Sequence, residues 1–311
     1  MDMASLNLLT GLIGMMLLGH IKKVDGKHWG VDHHSGTLKP VSRKQYLHQK
    51  LYFWIEPKVV LPLTDFLLRS KFFTQTRLGL KLLTANAKAN ANLPHGMPVT
   101  HSVIMRYVDF LDKQYGPEGY RFTIGPCICQ KTFNRWQEPV LKDIQFLYAG
   151  DAWMDLKKGG FRWATLGEVK DVLRTCHEAG LVHQLDFCNM SGDWTFCICN
   201  CEKKICAQVR AYNVTGYGCL QGPEECVVDT GKCLGVEACG VCIDKCHFNA
   251  IPVLDGKAGL DTLKCPGCGI CVDTCPAGAR TMIVRKDYRY NDIYPQEMLL
   301  GEERMKEIGK N

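Results

Sequence analysis

The sequence predicts an α+β fold: a small cysteine-dense module toward the C-terminal side, preceded by a mainly helical domain and an N-terminal amphipathic anchor. Three observations predict it. Apolar residues recur at helical spacing in the middle of the chain. Eighteen cysteines are bunched, with none before Cys127 and none after Cys275, and two cysteine runs near the end repeat at a fixed offset. At 311 residues and 46% hydrophobic, the chain has room for about two domains with real cores. Segments are expected at 1–94, 95–225, 226–286 and 287–311.

The first segment is free of cysteine. Ser5 to Gly19 is an apolar run that stops at His20-Ile-Lys22-Lys23. It is shorter than the roughly 18 to 20 residues of a bilayer span and contains Asn7 and Thr10. Asp2 is the only charge before it, so the basic start of a cleaved signal peptide is missing. Two readings remain: a helix against a partner subunit or in the membrane interface, or an ordinary buried helix. Residues 41–88 carry nine Lys or Arg against Glu56 and Asp65, interleaved with Tyr52, Phe53, Trp54, Phe66, Phe72 and Phe73. That window is +7 while the whole chain is +6, so the basicity is local. Basic residues alternating with aromatic anchors suit a surface lying on anionic lipid, and residues 1–88 are expected to hold the chain at a membrane surface or partner. A solvated basic face is the plainer alternative. No zinc-finger or helix-turn-helix pattern points to nucleic acid, and no such partner is expected. Pro57 and Pro62 predict short pieces, with a helix over Lys71 to Leu83.

Ala85 to Pro94 reads as a small-residue connector. A helix is expected from His101 to Tyr115, through Val103, Ile104, Tyr107, Val108 and Leu111. A second is marked by a Thr165/Glu168 capping box, an apolar face of Val169, Val172, Leu173 and Cys176, and a stop at Gly180. Cys176 is therefore a core residue. His183 follows at a strand start and reads as structural rather than as a ligand. Two cysteine groups, Cys127/Cys129 and Cys197/Cys199/Cys201/Cys206, lie far apart in sequence within this one segment. Cys127, Cys129, Cys199, Cys201 and Cys206 are candidates for one metal, iron–sulfur or zinc; the alternative is a set of reduced buried thiols, since free cysteine packs as a small hydrophobe. Cys188, Cys219 and Cys226 carry no assignment.

The final cysteines read Cys265-Pro-Gly-Cys268-Gly-Ile-Cys271-Val-Asp-Thr-Cys275-Pro276, echoed twenty-nine residues upstream by Cys239, Cys242 and Cys246. Residues 226–286 resemble a bacterial-type two-[4Fe–4S] ferredoxin domain, with small residues after each run at Phe248-Asn-Ala-Ile and Ala277-Gly-Ala-Arg280. In that family the last cysteine of each run serves the other cluster. The resemblance therefore implies Cys246, Cys265, Cys268 and Cys271 around one cluster, and Cys233, Cys239, Cys242 and Cys275 around the other. The chain departs from the family at His247, where proline is usual, and at Cys233, because the first loop is three residues longer. Zinc ribbons also use Cys-x2-Cys pairs, but three cysteines in one run and a fourth after three residues exceed what one zinc needs. The Pro-Cys127-Ile-Cys129 and Cys199-Asn200-Cys201 motifs extend a weaker resemblance, over 95–286, to a group of poorly characterised iron–sulfur proteins of anaerobes.

Together these imply a ferredoxin-like two-cluster domain in an electron-transfer subunit that relays single electrons to or from a redox protein partner. Disulfide frameworks belong mainly to short exported chains, so bunched thiols in a long chain point to a reducing, anaerobic or microaerobic cytoplasm, with the chain peripheral at the inner membrane face. Two other classes remain: a redox enzyme working on a disulfide, quinone or small substrate at the third cysteine site, and a metal-dependent structural or assembly protein. No dinucleotide or phosphate-loop glycine pattern occurs, which argues against direct nicotinamide oxidation.

Overall fold

A two-residue alternation in β7 (Val182–Cys188) and β8 (Trp194–Cys201) organises the molecule, which a computed structural model describes over residues 29–32, 37–89, 95–119, 122–156, 160–188 and 194–309. The apolar run Ser5–Gly19 lies outside the described residues. Because successive side chains of a strand point to opposite faces, β8 puts Cys197, Cys199 and Cys201 on one face and Ile198 and Asn200 on the other. Its partner β7 puts Gln184 and Asp186 opposite Cys199 and Cys197, and His183 and Leu185 opposite Asn200 and Ile198.

The remaining strands extend this pair. They are β1 (Trp29–Asp32), β2 (Thr37–Pro40), β3 (His95–Val99), β4 (Phe122–Pro126), β5 (Leu141–Phe146) and β6 (Arg162–Ala164). The antiparallel order is β3-β7-β8-β5-β4-β6, with the β1–β2 hairpin laid against the start of β8. Region 95–225 was expected to be mainly helical; six of its segments are instead strands of this sheet. The reason lies in the sequence of β7 and β8, where polar residues and cysteines alternate with apolar ones and both faces end up buried, so that neither shows the polar-out pattern of a half-exposed strand.

Helices cover both faces. They are α1 (Arg43–Ile55), α2 (Leu61–Arg69), α3 (Lys71–Gln75), α4 (Arg77–Ala89), α5 (His101–Gly119), α6 (Ile128–Phe133), α7 (Tyr148–Leu156), α8 (Leu166–Glu178) and α9 (Ala207–Thr215). On the first face α5 and α8 pack Val103, Ile104, Tyr107, Val169 and Leu173 against Ile124, Ile144, Leu185 and Ile198. The predicted Thr165/Glu168 capping box is present, and Cys176 is fully buried, as expected of a core residue. On the second face Tyr46, Phe53 and Leu61 meet Tyr148, Trp153 and Ala207.

Residues 43–89 are therefore packed onto the sheet rather than set apart from it, which moves the expected boundary at 94. Asp65 fastens them: it accepts from Arg135 at 3.0 Å and Arg210 at 2.6 Å, which holds its carboxyl below the usual range against the opposing effect of burial. Pro57 and Pro62 do not break the run. A π-helical turn at Glu56–Val60 joins α1 to α2, and each proline sits in the first turn of its element, where an amide donor is dispensable. The expected helix over Lys71–Leu83 divides at Thr76, and α4 continues through Ala85–Ala89, read earlier as connector. Gly79 permits the fold-back, since a Cβ there would lie 2.0 Å from Phe72 O. A capping box at Ser42 starts α1, its Oγ accepting from Gln45 N at 3.1 Å. Ser42→Ala should lower stability by about 1 kcal/mol, read as a shift in urea midpoint.

The C-terminal module pairs β9 (Glu224–Val228) with β12 (Arg280–Val284) and adds the small hairpin β10 (Val253–Leu254)/β11 (Lys257–Ala258). Its short helices α10 (Val241–Lys245) and α11 (Ile270–Asp273) contact each other. Each begins at a glycine of positive φ, Gly240 at 74° and Gly269 at 79°, so the twenty-nine-residue sequence repeat is also a backbone repeat. The C-terminal segment is not a free arm. Tyr288 and Tyr294 are buried in the first core, and α12 (Gln296–Met305) adds Leu299 and Leu300.

Candidate metal centre

The cysteine face of the sheet carries the first site. Cys127 precedes α6 and Cys206 precedes α9, so a thiol stands at the start of each helix. All five thiols proposed for a third site come together as one chain of neighbours: Cys127 with Cys129, Cys129 with Cys206, Cys206 with Cys201, and Cys201 with Cys199. Cys197 extends the row, its Sγ 3.7 Å from Cys199 Sγ and donating to Asp186 Oδ2 at 3.4 Å. Cys206 ionises most readily. Hydrogen bonds from the Cys129 and Cys201 thiols, joined by the amides of Gln208 and Val209 at the helix start, hold it well below the ordinary thiol value against the opposing effect of burial.

Three carboxyl groups accompany these thiols, Asp143 and Asp186 buried and Glu56 half-buried. Desolvation raises Asp186 to about 6, Asp143 to about 7 and Glu56 to about 8. Among the buried side-chain atoms nearby, Asp143 Oδ1, Gln145 Oε1, Gln208 Oε1 and Trp153 Nε1 make no hydrogen bond. A row of buried thiols beside orphaned polar atoms fits a thiolate-ligated metal better than a plain core, in which polar groups are paired. Sequence reasoning missed Cys197 and the three carboxyl groups. Only the period-2 spacing from Cys197 to Cys201 signalled a shared face.

The module forms two further thiol pockets. One is lined by Cys233, Cys239, Cys242 and Cys275, the other by Cys246, Cys265, Cys268 and Cys271. These are the two sets that the resemblance implies, and the longer first loop does bring Cys233 to its pocket, where amides of Ala258 and Gly235 lower its thiol. Four sulfur donors around one apolar pocket suit a cubane cluster. Gly267 has φ +95°, and a Cβ on it would lie 2.1 Å from Glu224 O, so the Cys265–Cys271 loop seats against β9 only with glycine there. Arg285 reinforces this seat through Gly222 O at 3.0 Å and Cys265 O at 3.5 Å.

Within this geometry, residues 258–281 match the family described as "4Fe-4S binding domain". The segment is a ferredoxin-type iron–sulfur segment. It runs from the end of β11 through the Cys265–Cys275 run and α11 to the start of β12, and iron–sulfur electron transfer is the chemistry it brings to the chain. No curated protein and no solved structure matches the chain.

Two unassigned cysteines join the sites. Cys226 lines the second module pocket as a fifth thiol, 3.8 Å from Cys271, and a hydrogen bond from Cys271 lowers it. Cys219 donates to Gln184 Oε1 at 3.2 Å, while Gln184 Nε2 donates to Cys201 at 2.8 Å. Arg280, 4% exposed, lies between the two module pockets: it donates to Ala258 O at 3.0 Å and Gly259 O at 2.9 Å, and Cys271, Cys242 and Cys226 raise it against the opposing effect of burial. Cys188 ends β7. No helix among the described residues is long and apolar enough to cross a membrane.

Proposed function

We propose that the chain is a fixed electron relay, passing single electrons in line between a third cysteine-ligated centre and two [4Fe–4S] clusters. One observation carries this reading. A single buried apolar body contains Cys201, Cys206 and Cys219 from the sheet side and Phe248, Ala250 and Ile270 from the module, with Cys199, Cys246, Cys265 and Cys268 packed against it. The third thiol row and the second module pocket therefore share one dry wall, and Arg280 with Cys226 adjoins the first pocket beyond. A cluster in each pocket would supply one-electron storage; the chain fixes spacing, dryness and charge around it.

The anchoring role fits the same reading. Trp54, Phe66, Phe72, Leu78 and Leu82 are exposed on α1 to α4, among exposed Lys58, Arg69, Lys71 and Lys81, and Lys58 Nζ lies 3.5 Å from the Trp54 ring centroid. Apolar side chains ringed by cations suit the inner face of an anionic membrane, where a partner redox protein would dock. Iron and acid-labile sulfide on anaerobically purified protein test the relay. About twelve of each per chain is expected, about eight would remove the third cluster, and stoichiometric zinc in place of iron would end the proposal.

A second reading has one observation in its favour: burial pushes the carboxyls of Asp143 and Asp186 up toward neutrality beside the third thiol row, with Glu56, also raised, next to them. Such groups can donate protons to a disulfide or quinone as it is reduced. Turnover of those acceptors by the reduced protein, lost in Asp143→Asn with iron retained, would favour an enzyme.

A further inference from the structure

Three histidines converge on the opposite face of the sheet from the cysteine row. His101 opens α5, His177 lies in the last turn of α8, and His183 is in β7; one nitrogen from each ring lies within 4.8 Å of the others. His101 Nδ1 is 3.1 Å from His183 Nε2, close to the roughly 3.3 Å between two nitrogens of a tetrahedral zinc site. The His101 and His177 rings stack with centroids 4.1 Å apart. His177 is half-buried, so its ring can turn to close the remaining gap.

The buried member is oriented from behind. Asn200 Nδ2 donates to Lys142 O at 2.5 Å, which leaves Asn200 Oδ1 to accept from His183 Nδ1 at 2.5 Å. That bond fixes the tautomer and directs the Nε2 lone pair toward His101 and His177, as the outer partners of metal-bound histidines do. The two residues are register partners across β7 and β8. The Gly-Leu-Val-His183 and Cys199-Asn200-Cys201 motifs thus meet at one point: the cysteines face the thiol row and Asn200 faces the histidines. Asp273, in α11 between Cys271 and Cys275, brings Oδ2 to 3.8 Å from His177 Nε2 and supplies a negative charge.

We propose that His101, His177 and His183 form a mononuclear site for a borderline divalent metal such as zinc or ferrous iron, at the seam between the sheet and the iron–sulfur module. Three imidazoles with a nearby carboxylate suit such ions. A hydrogen bond between His101 and His183 accounts for two of the rings; it gives no reason for the third, nor for Asp273. The proposal corrects the sequence reading of His183 as purely structural. It stands apart from the relay, because it uses none of the cysteines.

Cobalt(II) is the probe, since oxidised [4Fe–4S] clusters are diamagnetic and leave its resonance readable. Holoprotein titrated with Co2+ should take up one equivalent whose pulsed EPR shows imidazole nitrogen modulation. His101→Ala and His177→Ala should each weaken uptake at least tenfold while acid-labile sulfide, which a mononuclear site does not hold, stays at the wild-type count. These two rings are partly exposed, so neither variant should unfold the chain, as His183→Ala could. No such equivalent, uptake unchanged in both variants, or a bound cobalt lacking the nitrogen modulation would overturn the site. The iron count would fail separately if the relay were wrong.

Discussion

On the proposed relay, Cys206→Ser should lower the iron count from about twelve to about eight per chain and leave the ferredoxin-type segment loaded. The effect is large because Cys206 joins the two halves of the third site. Its thiol meets Cys129 on one side and Cys201 on the other, and the start of α9 stabilises its charge. Serine keeps the shape but ionises far less readily, so a soft ligand is replaced by a hard, neutral one. Cys176→Ser is the control: that thiol is fully buried under α8 and lines neither module pocket, so iron should be unchanged. Iron and sulfide analysis with low-temperature EPR of the reduced protein reads both variants. Twelve iron retained in Cys206→Ser would remove Cys206 from the ligands of the third centre, and a loss of all iron would make it a folding element of the whole chain.

What the sequence made legible was local. The cysteine spacing in 239–275 carries its geometry because a Cys-x2-Cys-x2-Cys loop is short enough to dictate which sulfurs can share a pocket, and both implied sets line one pocket each. Helix α8 was equally clear, since its cap, stripe and glycine stop all lie within sixteen residues, Thr165 to Gly180. The sheet was not. Its strands pair residues such as Val31 with Thr195, across most of the chain, and β7 and β8 bury both faces, one through cysteines and amides that do not read as core. Asp143 and Asp186 were invisible for the same reason: a single polar residue within a strand looks like a solvent-facing one until the second layer of helices covers it. The histidine cluster draws on three elements spread over eighty-two residues, with no motif to join them.

Arg280→Gln should lower the midpoint potential of at least one module cluster by about 50 to 100 mV. The guanidinium is fixed by Ala258 O and Gly259 O and lies 4.0 Å from Cys226 Sγ, itself 3.8 Å from Cys271 Sγ; Cys242 also acts on it. Each electron added to a cluster makes the sulfur cage more negative, and a neighbouring buried cation stabilises that reduced state. Removing the cation therefore disfavours reduction and moves the potential downward. A unit charge about 7 Å away, at an effective dielectric of about 20, contributes about 2 kcal/mol before relaxation, which for one electron corresponds to roughly 100 mV. Arg280→Lys keeps the charge but loses the fork whose Nη2 holds both carbonyls while Nη1 reaches Cys226 Sγ, so it should shift the potential less and still cost stability. Glutamine leaves the Ala258 and Gly259 carbonyls poorly paired, a penalty of about 1 to 3 kcal/mol that should appear in the urea midpoint. Potentiometric titration followed by EPR separates these effects, since stability and potential are read independently. If both module potentials stayed within about 10 mV of wild type with iron fully retained, the buried arginine would be only a structural clasp between β12 and the β11 turn, and the tuning of the relay would rest on main-chain amides.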